Sequence, residues 1–243
     1  MCQSVLNNNS KDHNLLIHVP HASTHIPENL RNDFIVGNDL IDKESNTSAD
    51  LYTDQLARQA WPLATIIEAK ISRIVLDVER YEDDSKEIMA QFGRGIIYTK
   101  SHEGKKIRGK VSQKKRQALI EQYYVPHWKK LRDTAKGKIL VDLHSYPVEP
   151  WSVETRPNDS RPEIDLGFTE ELTPTNWVTS ITNHFKNLDF QVGHNTPYSG
   201  VIDAGAKAAI MIEIRRDVIG SPEHSLQWKR LVNALNSMPL EFE

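Results

Sequence analysis

The stretch Ile139-Leu140-Val141-Asp142-Leu143 decides the fold class. It is apolar at almost every successive position, whereas a strand with one solvated face alternates between apolar and polar residues. Such a continuous run suits a strand buried on both faces, which is typical of a parallel sheet covered by helices. Outward from this stretch, similar apolar runs predict further strands at residues 15–19, 64–68, 74–78 and 208–214.

Helical signals separate these predicted strands. Predicted helices begin at Ser48-Ala49-Asp50, at Ser112, at Thr173-Pro174 and at Ser221-Pro222-Glu223; the first ends at Pro62, and the second reaches Lys136 with a break or kink at Pro126. The alternation of strands and helices predicts an α/β fold with a mostly parallel sheet. Residues 81–110 and 147–174 are predicted as loops, and loops of this length in a compact domain often form binding sites.

The composition indicates an ordinary globular chain. Hydrophobic residues make up 38% of the 243 residues, enough for one substantial core, so we predict a single domain over residues 1–243 with flexible residues 1–13. The 30 basic and 33 acidic residues give a net charge of −3, which does not favour nucleic acid as a partner. The single cysteine, Cys2, excludes a disulfide within the chain and a metal cage built from cysteines.

The sequence also lacks the signals of a membrane or secreted protein. No apolar run approaches the length that spans a bilayer, and residues 1–13 contain no apolar core of a secretion signal. We therefore expect a cytoplasmic protein without a membrane partner. The sequence leaves the oligomeric state open.

Side chains with useful chemistry lie at the ends of separate predicted strands. His21 follows the first strand, His144 follows the central strand, and Glu213 lies in the last one. Open α/β sheets bind ligands beyond the carboxyl ends of their strands, and a catalytic zinc ion takes three nitrogen or oxygen ligands and keeps one position for water. We therefore predict His21, Asp50 and His144 as ligands of Zn²⁺ or another divalent metal. Glu213 is then the predicted general base.

Two of the predicted ligands have alternatives. His18 competes with His21, because both lie at the end of the first predicted strand. Asp50 lies at a predicted helix start, where a carboxylate stabilises the helix dipole without binding a metal. The remaining histidines are predicted to lie on the surface: His13, His25, His102, His127, His184, His194 and His224.

The arginines indicate an anionic substrate. Glu213 lies in an apolar run and needs either a task or an ion-pair partner, for which Arg215 and Arg73 are the candidates. Arg73 and Arg80 form a candidate clamp for a carboxylate, with the alternative that one of them pairs with a neighbouring acidic residue. A straight strand of seven residues spans roughly 23 Å, so both can hold one carboxylate only if the chain bends between them. We predict that Arg73 is independent and that Arg80 is coupled to Glu79.

Seven segments of the sequence, in this order, resemble the N-formylglutamate amidohydrolase family. They are His18-Val19-Pro20-His21-Ala22-Ser23 with Ile26-Pro27; Asp50 with Asp54 and Leu56; Ser72-Arg73-Ile74-Val75-Leu76-Asp77-Val78-Glu79-Arg80; Gly93-Arg94-Gly95 with Tyr98-Thr99; Asp142-Leu143-His144-Ser145; Asn195-Thr196-Pro197-Tyr198-Ser199-Gly200; and Ile212-Glu213-Ile214-Arg215-Arg216-Asp217. Each segment alone has low specificity, but their common order covers about residues 14–220, most of the chain.

The resemblance implies a zinc-carboxypeptidase-like fold, with three α/β/α layers around a mixed, mostly parallel sheet. It implies metal-dependent cleavage of N-formylglutamate to formate and glutamate, a step of histidine breakdown. It places the metal ligands at His21, Asp50 and His144, and the general base at Glu213. It also implies Arg73 and Arg80 as binders of the substrate carboxylate. We add Tyr198 and Arg215, which lie in two of the matching segments, as predicted substrate contacts.

The sequence departs from the family at one position of the site. Family members usually carry an Asp-x-Asn-Arg pattern, and here Glu79 stands at the Asn position. A second carboxylate near the substrate carboxylate favours an alternative function, the hydrolysis of a different N-acyl amino acid or peptide. A third hypothesis is a ligand-binding domain without catalysis, which the presence of the predicted ligands and of Glu213 disfavours.

Overall fold

A computed structural model describes residues 14–220, 222 and 225–242. Residues 1–13, predicted to be flexible, lie outside the described residues, as do two of the three residues of the predicted helix start at 221–223. The strands are β1 (Leu15–Val19), β2 (Thr65–Glu68), β3 (Ile139–Tyr146), β4 (Ile164–Gly167), β5 (Val192–His194) and β6 (Ala208–Arg215). They form one sheet in the order β2-β1-β3-β6-β4-β5. All neighbours are parallel except β4 and β6, so the sheet is mixed and mostly parallel, as predicted.

Helices connect and cover these strands. They are α1 (Glu28–Arg31), α2 (Asn38–Ser48), α3 (Thr53–Ala60), α4 (Gln113–Leu119), α5 (Val125–Ala135), α6 (Thr175–Asn187), α7 (Arg216–Ile219) and α8 (Leu226–Asn236). A 3-10 helix covers Ile88–Phe92, and a π-helical turn at Ile120–Tyr124 joins α4 to α5. Among the described residues, none of the helices has the length and apolarity required to cross a membrane.

Separate hydrophobic clusters bury the two faces of the sheet. Leu15 and Ile17 of β1 pack in the same cluster as residues of α3, α6 and α8. Leu16, which points to the opposite face, belongs to a cluster that includes Leu131 of α5. The described chain is therefore an α/β fold in which helices lie on both sides of the sheet.

A third cluster lies beside the sheet and holds residues 69–78 against α1, α2 and the end of α4. The predicted strand at 74–78 is wrong, because this apolar run is buried by the third cluster and does not join the sheet. The backbone turns instead, and the N–H of Val75 donates to the carbonyl of Ser72 at 2.9 Å. The N–H of Asp77 donates to the carbonyl of Ile96 at 2.8 Å. The chain between Arg73 and Arg80 is thus bent.

Some helix boundaries also differ from the prediction. Ser48 ends α2 and α3 begins at Thr53, so Asp50 lies in the link between two helices. Pro126 does not break the long helix, because it follows the π-helical turn and occupies the first turn of α5, where a missing N–H is tolerated. β4 lies within residues 147–174, which were predicted as a loop, and β5 was not predicted.

Candidate active site

A cavity of about 380 Å³ lies at the carboxyl ends of β1, β3 and β6. His21, which follows β1, lines it together with His144 of β3 and Glu213 of β6. Asp50 reaches the cavity from the link between α2 and α3, where its N–H donates to the carbonyl of His21 at 2.9 Å. The predicted metal ligands and the predicted base therefore lie around one cavity.

The predicted ligand atoms form a small triangle. Nδ1 of His21 lies 3.3 Å from Nδ1 of His144. Oδ2 of Asp50 lies 3.2 Å from Nδ1 of His144 and 3.5 Å from Nδ1 of His21. Metal–ligand bonds of about 2.0–2.1 Å in tetrahedral geometry place ligand atoms roughly 3.3–3.4 Å apart. The triangle therefore has the spacing of three ligands on one zinc-sized ion.

Carboxylates lie behind both imidazoles. Nε2 of His21 donates to Oδ1 of Asp77 at 2.8 Å. Nε2 of His144 lies 3.1 Å from Oδ1 of Asp142 and 3.3 Å from Oε2 of Glu79. Metal-bound histidines commonly donate their second ring N–H to a carboxylate, which fixes the tautomer. A second possible ion site is formed by His21, Glu79 and His144, with the Nε2 atoms of the histidines facing Glu79. The hydrogen bond to Asp77 occupies Nε2 of His21, however, and therefore favours Nδ1 as the ligand atom.

The electrostatics of the cluster indicate a cation site. Although burial opposes charging, the carboxylates of Glu79 and Asp142 raise the pKa of His144 well above its usual value. Burial also opposes ionisation of Asp50, but hydrogen bonds from His144 and His21 lower its pKa. The charge of the His144 imidazole is therefore favoured by the buried carboxylates around it. The residues present fit a divalent cation that takes over this positive charge.

Glu213 has the environment of a general base. It lies directly opposite His144 in the register of β6 and β3 and is buried. Within the part of the chain that the structure describes, its Oε2 atom has no hydrogen-bond partner. Burial raises the pKa of Glu213 to about 8, with further contributions from the nearby Asp50 and Asp165. A carboxyl group with a pKa near neutrality can both accept and return a proton.

The two predicted clamp arginines have exchanged roles. Arg73 is fully engaged, since its Nε and Nη2 donate to Oδ2 of Asp77 at 3.1 and 2.9 Å and its Nε also donates to Tyr98 at 3.0 Å. Arg80 lines the cavity, and among the described residues its guanidinium makes only a 3.8 Å ion pair with Asp77. The predictions of an independent Arg73 and of an Arg80 coupled to Glu79 are both wrong. The bend between the two arginines brings both to the cavity.

The profile of the N-formylglutamate amidohydrolase family matches residues 13–220. The chain belongs to the N-formylglutamate amidohydrolase family. A crystal structure of N-formylglutamate amidohydrolase from Ralstonia eutropha JMP134 is similar, with a TM-score of 0.74, 19% identity and coverage of 93% of this chain and 91% of that one. A gene product from Agrobacterium tumefaciens has a TM-score of 0.69 and 19% identity, with coverage of 95% and 90%. Comparison with curated proteins found no significant match.

Membership of this family supports an amidohydrolase activity, and the likeness of the solved structures supports the fold. The family pattern in the sequence led to the expectation that Glu79 would face Arg80. The structure turns Glu79 towards three imidazoles instead, at 3.4 Å from His18, 3.6 Å from His21 and 3.3 Å from His144. The departure from the family's usual Asn thus adds a carboxylate beside the imidazoles.

The two remaining predicted substrate contacts have different outcomes. Tyr198 lines the cavity, and its hydroxyl donates to Oε1 of Glu154 at 3.1 Å. Arg215 does not line the cavity, because β6 ends at this residue and its guanidinium binds Asp217 at 2.7 and 3.1 Å. The next residue, Arg216, lines the cavity instead.

Two histidines predicted to lie on the surface belong to interior networks. Nδ1 of His102 lies 2.6 Å from Oε2 of the buried Glu44. His127 is half-buried on α5, and its Nε2 lies 2.8 Å from Nε2 of His18. The prediction holds for His25 and His194, which are exposed, whereas His184 is half-buried; His13 and His224 lie outside the described residues. Sequence periodicity of a helix cannot reveal such contacts, because they depend on which strand the helix packs against.

Proposed function

We propose that the protein hydrolyses the amide bond of N-formylglutamate in a reaction that depends on a divalent metal, with zinc as the metal. The observation that carries this proposal is the triangle of Nδ1 of His21, Nδ1 of His144 and Oδ2 of Asp50. Beside it lies the buried Glu213, whose Oε2 atom has no hydrogen-bond partner among the described residues. Zinc is preferred over iron or manganese because of the two imidazole ligands. The reaction would be the step of histidine breakdown that the family resemblance implies.

Each residue has a separate task in this reaction. His21, Asp50 and His144 would hold the ion, which, when bound, polarises the scissile carbonyl and acidifies the attacking water. Glu213 would accept the proton of that water in its ionised form, which the charge of a bound cation favours, and pass it to the leaving nitrogen. The substrate nitrogen then departs as the neutral amino group of glutamate.

Arg80 is the proposed anchor for a substrate carboxylate. It lines the cavity with a largely buried guanidinium that a substrate can pair with. Glu79 does not oppose this role, because it faces the imidazoles. Although burial opposes its ionisation, the charge of His144 lowers the pKa of Glu79 well below its usual value. The negative charge of Glu79 is thus balanced on the imidazole side of the cavity.

A larger N-acyl amino acid or peptide is the second candidate substrate. It is favoured by apolar side chains of the cavity, namely Ile88, Met89, Trp151 and Val153. These residues offer a surface to an acyl group larger than formyl, whereas Arg80 offers the same anchor to either substrate.

The experiment is metal analysis of the purified protein before and after zinc loading, followed by a substrate screen. We expect about one equivalent of zinc and release of formate from N-formylglutamate, with little turnover of N-formylleucine, which lacks the side-chain carboxylate. N-acetylglutamate tests the acyl group separately. Less than a small fraction of an equivalent of zinc after loading would contradict the metal proposal, and faster turnover of N-acetylglutamate would favour the second candidate.

A further inference from the structure

The two imidazoles of the proposed metal site are supported in parallel ways. Behind His21 lies Asp77, whose Oδ2 is held by Arg73 and by the hydroxyl of Tyr98, the latter at 2.7 Å. Behind His144 lies Asp142, whose Oδ1 is 3.1 Å away. Asp142 needs a partner that holds it in the way that Arg73 and Tyr98 hold Asp77.

Two histidines, His18 and His127, hold Asp142 in place. His18 is completely buried on β1 and lies opposite Asp142 in the register of β1 and β3. Its Nδ1 donates to Oδ1 of Asp142 at 2.8 Å, which is the same oxygen that faces His144. Its Nε2 lies 2.8 Å from Nε2 of the half-buried His127 of α5. A continuous chain of contacts thus runs from His127 near the surface to His144 in the cavity.

Distances identify the two contacts of His18 as hydrogen bonds and not as a second metal site, whereas Nε2 of His144 contacts Asp142 as an ion pair at 3.1 Å. His18, Glu79 and Asp142 lie close enough together to be considered as ligands. The 2.8 Å separations at both nitrogens of His18 are, however, shorter than the roughly 3.3–3.4 Å that separates ligand atoms on a tetrahedral ion. They match ordinary N–H···O and N–H···N hydrogen bonds.

The charges give these bonds a direction. Burial alone would lower the pKa of His18, but Asp142 and Glu79 raise it to about 9. Burial and the positive charge of His18 lower the pKa of His127 to about 3. His18 is therefore the donor at both of its nitrogens, and neutral His127 is an acceptor at Nε2. An acceptor at this position fixes the ring of His18.

We propose that His127 is a positioning residue for the metal site, acting through His18 and Asp142 on His144. By accepting the Nε2–H of His18, it holds the other ring nitrogen on Asp142, and Asp142 then keeps Nε2 of His144 turned away from the cavity. Nδ1 of His144 remains directed at Asp50. This inference rests on the proposed metal site and assigns a function to His127, which is 109 residues away in the sequence from its partner His18.

The test compares zinc affinities of the full-length protein, measured by competition with a chromophoric chelator. His127→Leu removes the acceptor, whereas His127→Gln offers a side-chain carbonyl to the same N–H. Loss of an outer partner of a metal-bound histidine typically costs about 10–100-fold in metal affinity, and we expect His127→Leu to lie near the lower bound. We expect His127→Gln to stay within about threefold of the wild type.

The matched control is His184→Leu, since His184 is also a half-buried helical histidine with one hydrogen bond, to the carbonyl of Ala234 at 2.8 Å. It should leave zinc affinity unchanged. Thermal unfolding of the metal-free proteins verifies that each variant is folded. If His127→Leu does not fold, His127→Ala replaces it in the comparison, because alanine is the best helix former.

The outcomes separate this inference from the proposed function. A wild type that binds no zinc contradicts the proposed function itself. A wild type that binds zinc, with a His127→Leu variant of equal affinity, overturns only the positioning role. Equal losses in His127→Leu and His127→Gln would also overturn it, because they would show that the imidazole is required for something other than accepting a hydrogen bond.

Discussion

The floor and the wall of the cavity differ in how their polar groups are satisfied. On the floor, His21, Asp50 and Asp77 have several short contacts each, although Nε2 of His144 and Oε1 of Glu79 have no hydrogen-bond partner among the described residues. On the wall, Nε of Arg80 and Oε2 of Glu213 are buried without a hydrogen-bond partner in residues 14–220, 222 and 225–242. Buried unpaired polar groups are rare in folded proteins. We therefore expect the linked side chains of the floor to hold the proposed ion, and the unpaired groups of the wall to contact the substrate.

The largest effect should come from the wall, with Glu213→Gln. Glutamine keeps the shape of the side chain but cannot accept the proton of water, and general acid–base catalysis typically contributes about 10²–10⁴-fold to the rate. We expect kcat to fall by that factor while zinc content stays at the wild-type level, because the floor is unchanged. Steady-state kinetics and metal analysis measure the two quantities. Glu170→Gln, at an exposed position, is the matched control. Near-normal turnover of Glu213→Gln would assign the base elsewhere.

A second effect concerns the stability of the metal-free protein. The pKa of Glu213 is about 8 in the folded state and about 4.5 ordinarily. Between these values the folded state binds one more proton than the unfolded state, so the free energy of unfolding falls as the pH rises through this window. Each pKa unit corresponds to about 1.4 kcal/mol, so we expect a loss of a few kcal/mol between pH 5 and pH 8.

Urea unfolding at several pH values measures this loss, and Glu213→Gln provides the reference because it removes the titrating group. The raised pKa of His18 acts in the same direction above its usual value of 6.5 and is present in both proteins. The difference between wild type and variant therefore isolates Glu213. Parallel pH dependences in the two proteins would show that Glu213 is ionised at pH 7 and already paired.

The smallest effects should distinguish the arginines. Arg80→Ala should raise KM for N-formylglutamate by about 10–100-fold, since hydrogen bonds to charged groups contribute ~1.5–3 kcal/mol, and should scarcely affect a neutral analogue. Arg73→Ala should instead lower the stability of the protein, because it leaves the buried Asp77 without its main partner. Arg215→Ala is the control and should change neither quantity. A loss of acidic-substrate preference in Arg73→Ala, but not in Arg80→Ala, would reverse the assignment.

β1, β2, β3 and β6 could be predicted from the sequence, and β4 and β5 could not. β1 was predicted at its observed bounds, and β3 and β6 were recognised because burial on both faces makes them continuously apolar. Residues 74–78 have the same apolar character, but a separate cluster beside the sheet buries them. β4 (Ile-Asp-Leu-Gly) and β5 (Val-Gly-His) are interrupted by polar residues and glycine, so neither forms a continuous apolar run.

The candidate site, too, could be predicted only where the sheet determines the position of a residue. His21, His144 and Glu213 line the cavity because parallel strands bring their carboxyl ends to one edge, and Asp50 joins them from the link between α2 and α3. The sequence offered the pairing of one arginine with a neighbouring acidic residue, but it could not show that Arg73 and not Arg80 makes this pair, since the bend between them arises from the third cluster. Arg215 lies outside the cavity lining, because β6 ends at this residue and α7 begins at Arg216. The orientation of Glu79 depends on contacts with three separate segments, which no local pattern encodes.

The triangle of ligand atoms has a thermodynamic consequence, because its members come from distant segments, with His21 and His144 separated by 123 residues. No short fragment of the chain can present these atoms together, so an ion held by them binds only the native state. Such an ion acts as a reversible cross-link whose strength depends on its free concentration. At a hundred times its dissociation constant it stabilises the fold by about 2.7 kcal/mol. The survival of the protein against proteases would then follow the supply of the metal, even when no substrate is present.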